Sequence, residues 1–286
     1  MIRGDVPARP DFTKMRLIYD RRMVDGTPGF LDLLPRSEKP RSSGLTHVLD
    51  KGASPAEIEI LLSRAGDAID LWKLGWGTAY LEPDVPQKVS ILADHGVRAC
   101  VGGTLLEVAW GQGRAEACLE WAAEMGFPCV EVSNGSIGMP LSEKRRLIAE
   151  ASRAFVVVSE VGSKDPTTPV SPDGWVEEMA GDLEAGAVWV LAEGRESGTV
   201  GLYDPDGGVR EEIAEALTEH IGLARAIFET PRKDQQAWFI ARFGNGVNLG
   251  NVPIQEVFGL EALRLGLRAD TIALSQETTK RPGSES

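Results

Sequence analysis

The sequence predicts an α/β fold, a single (β/α)₈ TIM barrel with a short N-terminal extension and a disordered C-terminal tail. Three observations carry this. Short β-branched runs alternate with longer amphipathic segments from about residue 44 onward, eight strand-then-helix units can be counted, and a glycine recurs where one helix hands over to the next strand. Strand-then-helix repetition of this kind indicates a parallel sheet, because parallel strands need a crossover long enough to hold a helix. At 286 residues the chain has room for one barrel of roughly 250, with no long linker that would divide it. The expected divisions are an extension at 1–43, the barrel at 44–272 and the tail at 273–286.

The strand candidates are 45–49, 68–72, 97–101, 129–132, 155–159, 188–192, 226–228 and 246–249. Between the first two, Ser54, Pro55 and Glu57 make a capping-box pattern, with serine at the N-cap and proline at the first helical position. That helix should end at Ala65, near Gly66. Weaker N-terminal signals stand at Ser142-Glu143 and at Ser171-Pro172-Asp173, while Gly96, Gly126, Gly186 and Gly222 sit where helix C-termini should turn over. The extension allows a short helix over 12–20, and the polar stretch 276–286 has no periodicity.

A formal net charge of −13 disfavours nucleic acid or an anionic membrane as the main partner, since both reward clustered Lys and Arg. No stretch approaches the ~20 apolar residues of a membrane span, so a cytoplasmic protein is the expectation. Three cysteines with no CxxC pair, Cys100, Cys118 and Cys129, read as buried reduced thiols. The partners expected are small anionic molecules and, as a homo-oligomer, further copies of the chain.

Barrel active sites lie at the C-terminal ends of the strands, so the polar residues ending each strand are the candidates. In order these are Asp50-Lys51-Gly52; Lys73 with Gly75-Trp76-Gly77-Thr78; Gly102-Gly103-Thr104 with Glu107; Glu131, Ser133 and Asn134; Glu160 and Lys164; Glu193, Arg195, Glu196 and Ser197; Glu229 and Lys233; Asn248 and Asn251. Glutamates at 131, 160, 193 and 229 would crowd one mouth with like charge. Either Lys51, Lys73, Arg195 and Lys233 offset them, or a hard divalent cation bridges some of them. Lys73, set between Trp72 and Gly75-Trp76-Gly77, is expected to be desolvated and its pKa lowered. Gly102-Gly103, Gly194 and Gly198 allow backbone N–H groups to approach an anion. His47 reads as a packing residue, and Trp76 is the one tryptophan placed near a substrate.

Taken as a set, the runs VLDKG (48–52), KLGWGTAYL (73–81), GGTLLEVA (102–109), EVSNGS (131–136), SEVGSKDP (159–166), AEGRESGTVGLYD (192–204), FETPRKDQQAWFIARFG (228–244), VNLGNV (247–252) and EALRLGLRADT (261–271) resemble the phosphosulfolactate synthase family. The resemblance runs in order from about 43 to 272. It implies the (β/α)₈ barrel, dependence on Mg²⁺, and a carbon–sulfur lyase that adds sulfite to phosphoenolpyruvate on the route to coenzyme M. Lys73 matches the family's strand-two lysine, the proton donor, and Lys51 stands beside it as a second catalytic candidate. Lys164, Arg195, Ser197, Gly198, Lys233, Asn248 and Arg268 become the substrate-binding candidates, and Glu131, Glu160 and Glu193 the metal candidates. The resemblance departs at Asn134, where family sequences carry Asp, and in the loop 137–140, which raises a changed nucleophile as one alternative. A second is a non-catalytic barrel, since a plant heat-stress-associated protein of similar size resembles the same family.

Overall fold

A computed structural model of the chain describes residues 23–24, 27–28, 30–165 and 171–278. Eight parallel strands close into a barrel: β1 (Thr46–Asp50), β2 (Leu71–Leu74), β3 (Arg98–Val101), β4 (Cys129–Val132), β5 (Val156–Val161), β6 (Trp189–Ala192), β7 (Ala226–Glu229) and β8 (Asn248–Pro253), each pairing with the next and β8 with β1. The predicted fold class is the observed one. The helices in chain order are α1 (Pro55–Ala65), α2 (Thr78–Leu81), α3 (Val85–Asp94), α4 (Gly103–Gly111), α5 (Ala115–Glu124), α6 (Leu141–Ala151), α7 (Pro172–Glu184), α8 (Glu211–His220), α9 (Lys233–Phe243), α10 (Val257–Arg264) and α11 (Ile272–Thr278). Outside the barrel, Met23–Val24 pairs antiparallel with Thr27–Pro28.

Local chemistry explains most of the boundaries. At the start of α1 the Ser54 hydroxyl accepts from the Glu57 amide and the Glu57 carboxylate accepts from the Ser54 amide, so the capping box forms as read. The Ser171 hydroxyl likewise caps α7 by accepting from the Gly174 amide. Gly96, Gly126, Gly186 and Gly222 all have positive φ, the left-handed turn that lets each helix reverse into the next strand. Gly66 is different: with φ −55° it continues into a 3₁₀ turn, Gly66–Ala68. The second strand therefore begins at Leu71, three residues beyond the predicted 68. At α6 the N-cap is Pro140 rather than Ser142.

Outside a bulge in β8, side chains alternate between barrel interior and helix-facing exterior. Leu45, Leu71, Cys100, Cys129, Val158, Trp189, Leu191 and Ile227 fill the interior as one cluster, while Trp72, Leu74, Val130 and Val132 face the surrounding helices. Cys100 and Cys129 are buried neighbours, Sγ to Sγ 3.0 Å, and all three cysteines are free.

The segment before β1 crosses the N-terminal end of the barrel. Arg36 pairs with Glu261 at 2.9 Å, Arg41 with Asp70 at 3.0 Å, and the Lys39 ammonium donates to the Gly66 carbonyl at 2.7 Å. The proposed helix over 12–20 lies outside the described residues. The tail is corrected at its start: 273 does not begin it, because α11 runs to Thr278 and Leu274 packs on the core, with the Thr271 hydroxyl tying the turn to the Leu263 carbonyl at 2.7 Å. Among the described residues no helix is long and apolar enough to cross a membrane.

Candidate active site

Strand alternation builds the site. Leu71, Cys129, Val158, Leu191 and Ile227 point into the barrel, so the residues two positions on, Lys73, Glu131, Glu160, Glu193 and Glu229, point inward too, at the C-terminal mouth. There they line a cavity of about 250 Å³ together with Lys164, Arg195, Glu196, Trp76, Thr104, Asn251 and the backbone of Gly102-Gly103. Lys73, Glu131, Glu160, Glu193 and Glu229 are all almost fully buried.

The Lys73 ammonium sits in a cage of carboxylates, 2.9 Å from Glu131, 3.6 Å from Glu229 and 3.8 Å from Glu160. Burial alone pulls its pKa down, but the negative charge of Glu131, Glu229 and Glu160 outweighs that and raises it. This corrects the expected lowering: desolvation was the right force, and the three counter-charges are what the local sequence does not reveal. Lys164 reaches in from the β5 loop, 3.3 Å from Glu160, 3.8 Å from Glu107 and 3.9 Å from Glu193, and its pKa is raised by the same balance. Both lysines therefore carry their protons throughout the neutral range.

Each glutamate is held differently. Glu131 spends one oxygen on Lys73 and the other on the Gly103 amide at 2.9 Å. Glu229 accepts from the Gly194 amide at 2.9 Å and from the Asn251 side-chain amide. Glu193 accepts from the Arg195 amide at 2.6 Å, leaving its second oxygen buried without a hydrogen-bond donor, as is Oε1 of Glu160. Burial raises the Glu131 and Glu193 carboxyls and pushes Glu229 up to about 7. Burial acts on Glu160 too, but Lys164 and Lys73 prevail and bring it down to about 2.

That arrangement bears on metal. Among the described residues no three acidic, His or Cys side chains converge as a ready ligand cage. Mg²⁺ asks for less, one or two carboxylates with water and substrate oxygens completing the shell. Oε1 of Glu160 and Oε2 of Glu193, which make no hydrogen bond and face the Lys164 ammonium at 3.3 and 3.9 Å, fit that demand, whereas Glu131 has both oxygens engaged and fits it poorly.

The other candidates are distributed unevenly. Lys51 is exposed at the rim, its ammonium 4.6 Å from the Trp76 ring centre. Ser197 is exposed and bonds Thr199 at 2.8 Å; Gly198 is buried with φ +63°, its carbonyl accepting from Gln235 at 2.9 Å, which makes it a turn residue. Of the seven substrate-binding candidates Lys164 and Arg195 line the cavity, whereas Ser197, Gly198, Lys233, Asn248 and Arg268 do not. Lys233 pairs with Asp270 at 2.5 Å, and Arg268 donates to the Gly259 carbonyl at 3.4 Å. Asn248 opens β8 and so lies at the opposite end of the barrel, accepting from the Leu45 amide at 2.9 Å and donating to the Leu223 and Ala226 carbonyls at 2.7 and 3.1 Å. His47 is buried and held neutral by burial and the nearby Lys73 charge, in keeping with a packing role.

Glu107 organises the β4 loop from beneath: it accepts from the Ser133 hydroxyl at 2.5 Å and from the Ser136 and Ile137 amides at 2.8 and 3.0 Å. Asn134 is absent from the cavity lining; its side-chain amide donates to the Met139 carbonyl at 3.3 Å. A carboxylate there would face that carbonyl without a donor, so Asn134 and the altered loop 137–140 suit one another. Asn251, named with Asn248 among the strand-end candidates, is the one of the two that lines the cavity, although substrate binding was expected of Asn248; the signal was Gly250, since an isolated glycine inside a strand marks a bulge.

A family model described as (2R)-phospho-3-sulfolactate synthase matches residues 34–270. The chain belongs to this family. Phosphosulfolactate synthases from Methanothermobacter thermautotrophicus, Methanocaldococcus jannaschii and Bacillus subtilis are 43%, 42% and 39% identical to it, over 83%, 80% and 85% of its length and 95%, 93% and 98% of theirs. The matched span contains every residue of the cavity.

Proposed function

We propose that the chain is a phosphosulfolactate synthase, which adds sulfite to phosphoenolpyruvate with the help of Mg²⁺ to give (2R)-2-O-phospho-3-sulfolactate. The observation that carries this is one small cavity in which Lys73, Lys164 and Arg195 stand among Glu131, Glu160, Glu193, Glu196 and Glu229. Carboxylates outnumber cations there, a poor receptor for two anions on its own and a good one once a divalent cation joins. Glu160 and Glu193 are the residues that would hold it, and bound there Mg²⁺ would supply fixed positive charge for the oxygens of the aci-carboxylate.

In the reaction the sulfur lone pair attacks the methylene carbon of phosphoenolpyruvate and forms the C–S bond. The displaced π electrons move to C2 and its carboxylate, and C2 then takes a proton. Lys73 is the donor in this reading. Its high pKa serves the role, because a basic carbanion accepts a proton readily from any ammonium and the requirement is that the proton be present. Lys164 and Arg195 orient the phosphate and the incoming sulfite at the mouth, and Trp76 limits the entry of water.

The test is to incubate the purified protein with phosphoenolpyruvate, sulfite and Mg²⁺ and to seek phosphosulfolactate by mass spectrometry. Product is expected, with a fall of at least ~100-fold in kcat for Lys73→Ala, the scale of general-acid catalysis. Absence of product at every sulfite concentration overturns the reading. Unchanged turnover in Lys73→Ala leaves the reaction and removes Lys73 as donor.

A further inference from the structure

The pairing of β8 with β1 slips by one residue: Leu249 is opposite Thr46 and Val252 opposite Val48, so three steps on β8 match two on β1. Gly250 and Asn251 take up the difference. A Cβ at Gly250 would fall 2.9 Å from Ile227 and Leu191 side-chain atoms and 3.2 Å from His47 Nδ1, so any larger residue there would have to push these side chains aside. Asn251 has φ +51°, in the left-handed region, and is 6% exposed. A bulge of this kind re-aims a side chain. Here it brings Asn251 into the lining of the cavity, where the amide nitrogen donates to Glu229.

The orientation of that amide carries information. With its nitrogen given to Glu229, Oδ1 of Asn251 is buried with no hydrogen-bond donor. The opposite flip would set Oδ1 against Oε1 of Glu229, the oxygen turned as an acceptor toward the Lys73 ammonium 3.6 Å away. The amide therefore faces Glu229: the Gly194 amide holds Oε2, and Asn251 holds Oε1, the oxygen that lies 3.6 Å from the Lys73 ammonium.

We infer that Asn251 is a positioning residue for the reaction, holding the Glu229 carboxylate so that Glu229 in turn fixes the Lys73 ammonium over the substrate. The inference rests on the reading of the site given above. Asn251 acts through Glu229 and Lys73, which predicts an effect on turnover with little effect on substrate affinity.

The informative variant is Asn251→Gly, since glycine adopts positive φ freely and keeps the bulge while deleting the amide. Expected are a wild-type fold and melting temperature, KM values for phosphoenolpyruvate and sulfite within about threefold, and kcat lower by about 10- to 100-fold, the range lost when a group supporting catalysis is misplaced. Asn251→Asp should lose more, because it sets a carboxylate against Glu229. Crystal structures of the wild type and Asn251→Gly supply the second readout, with the Glu229 carboxylate turned away from Lys73 in the variant. Glu229 holding its wild-type pose in Asn251→Gly overturns the inference whatever the activity, as does a kcat within twofold of wild type. A wild type that makes no product defeats the proposed reaction alone, and the pose of Glu229 still decides the role of Asn251.

Discussion

Glu229 shows what burial does to one carboxyl group. Burial raises it, the Lys73 charge opposes and Glu160 adds to the rise, so that the folded protein keeps the proton up to about pH 7 while the unfolded chain releases it near the ordinary 4.5. A group shifted in this direction contributes stability that is present in full below the unfolded value and is lost as pH climbs through the folded one. Glu131 and Glu193 are shifted the same way, whereas Glu160, held at about 2, contributes its stability above 4.5 and loses it only in acid. The metal-free protein should therefore lose stability between about pH 4.5 and 7. Calorimetry across that range should show a shallower decline for Glu229→Gln, and an identical slope would argue that Glu229 is ionised already in the folded state.

At the scale of elements, what the sequence discloses is what depends on near neighbours. The capping box at Ser54 and the turnover glycines were legible because each is settled within four residues. Ser54→Ala should cost about 1 kcal/mol, read as a melting temperature lower by roughly 2–4 °C. The eight strands were legible too, most of them within a residue or two, because runs of β-branched residues two-deep in helices are hydrophobic on both faces. Strand ends were harder. Ending the last strand at 249 instead of Pro253 put Asn248 at the mouth beside Asn251, when the strand runs past both and the bulge between them sets their directions. The same limit applies to Lys73: that it is buried follows from its neighbours in sequence, while its partners Glu131, Glu160 and Glu229 arrive from three other strands.

For the molecule as a whole, the barrel has two polar poles with different duties. The mouth gathers charge for chemistry. The opposite end closes the ring: Asn248 joins the start of β8 to Leu45 and Ala226 on either side, and the buried Arg264 donates to the carbonyls of Asn245, Val247 and Leu45 at 2.6, 2.8 and 3.0 Å. Asn248→Ala would strand the Leu45 amide in the interior and cost about 2–4 kcal/mol, a melting temperature lower by roughly 4–16 °C, with the KM for phosphoenolpyruvate unchanged. A selective rise in KM at constant stability would instead return Asn248 to the substrate.

Trp76 belongs to the mouth and yet is 51% exposed, with φ +56° and the Lys51 ammonium over its ring. Trp72, Trp175 and Trp189 are buried in the core. Indole emission depends on contact with water and on nearby charge, and Trp76 is the one tryptophan lining the cavity, so it is the fluorophore expected to respond to ligand while Trp110, Trp121 and Trp238, half-buried elsewhere, and the three core tryptophans supply a constant background. The molecule thus carries its own optical gauge of occupancy, and filling of the cavity can be followed by light without a label or a coupled assay.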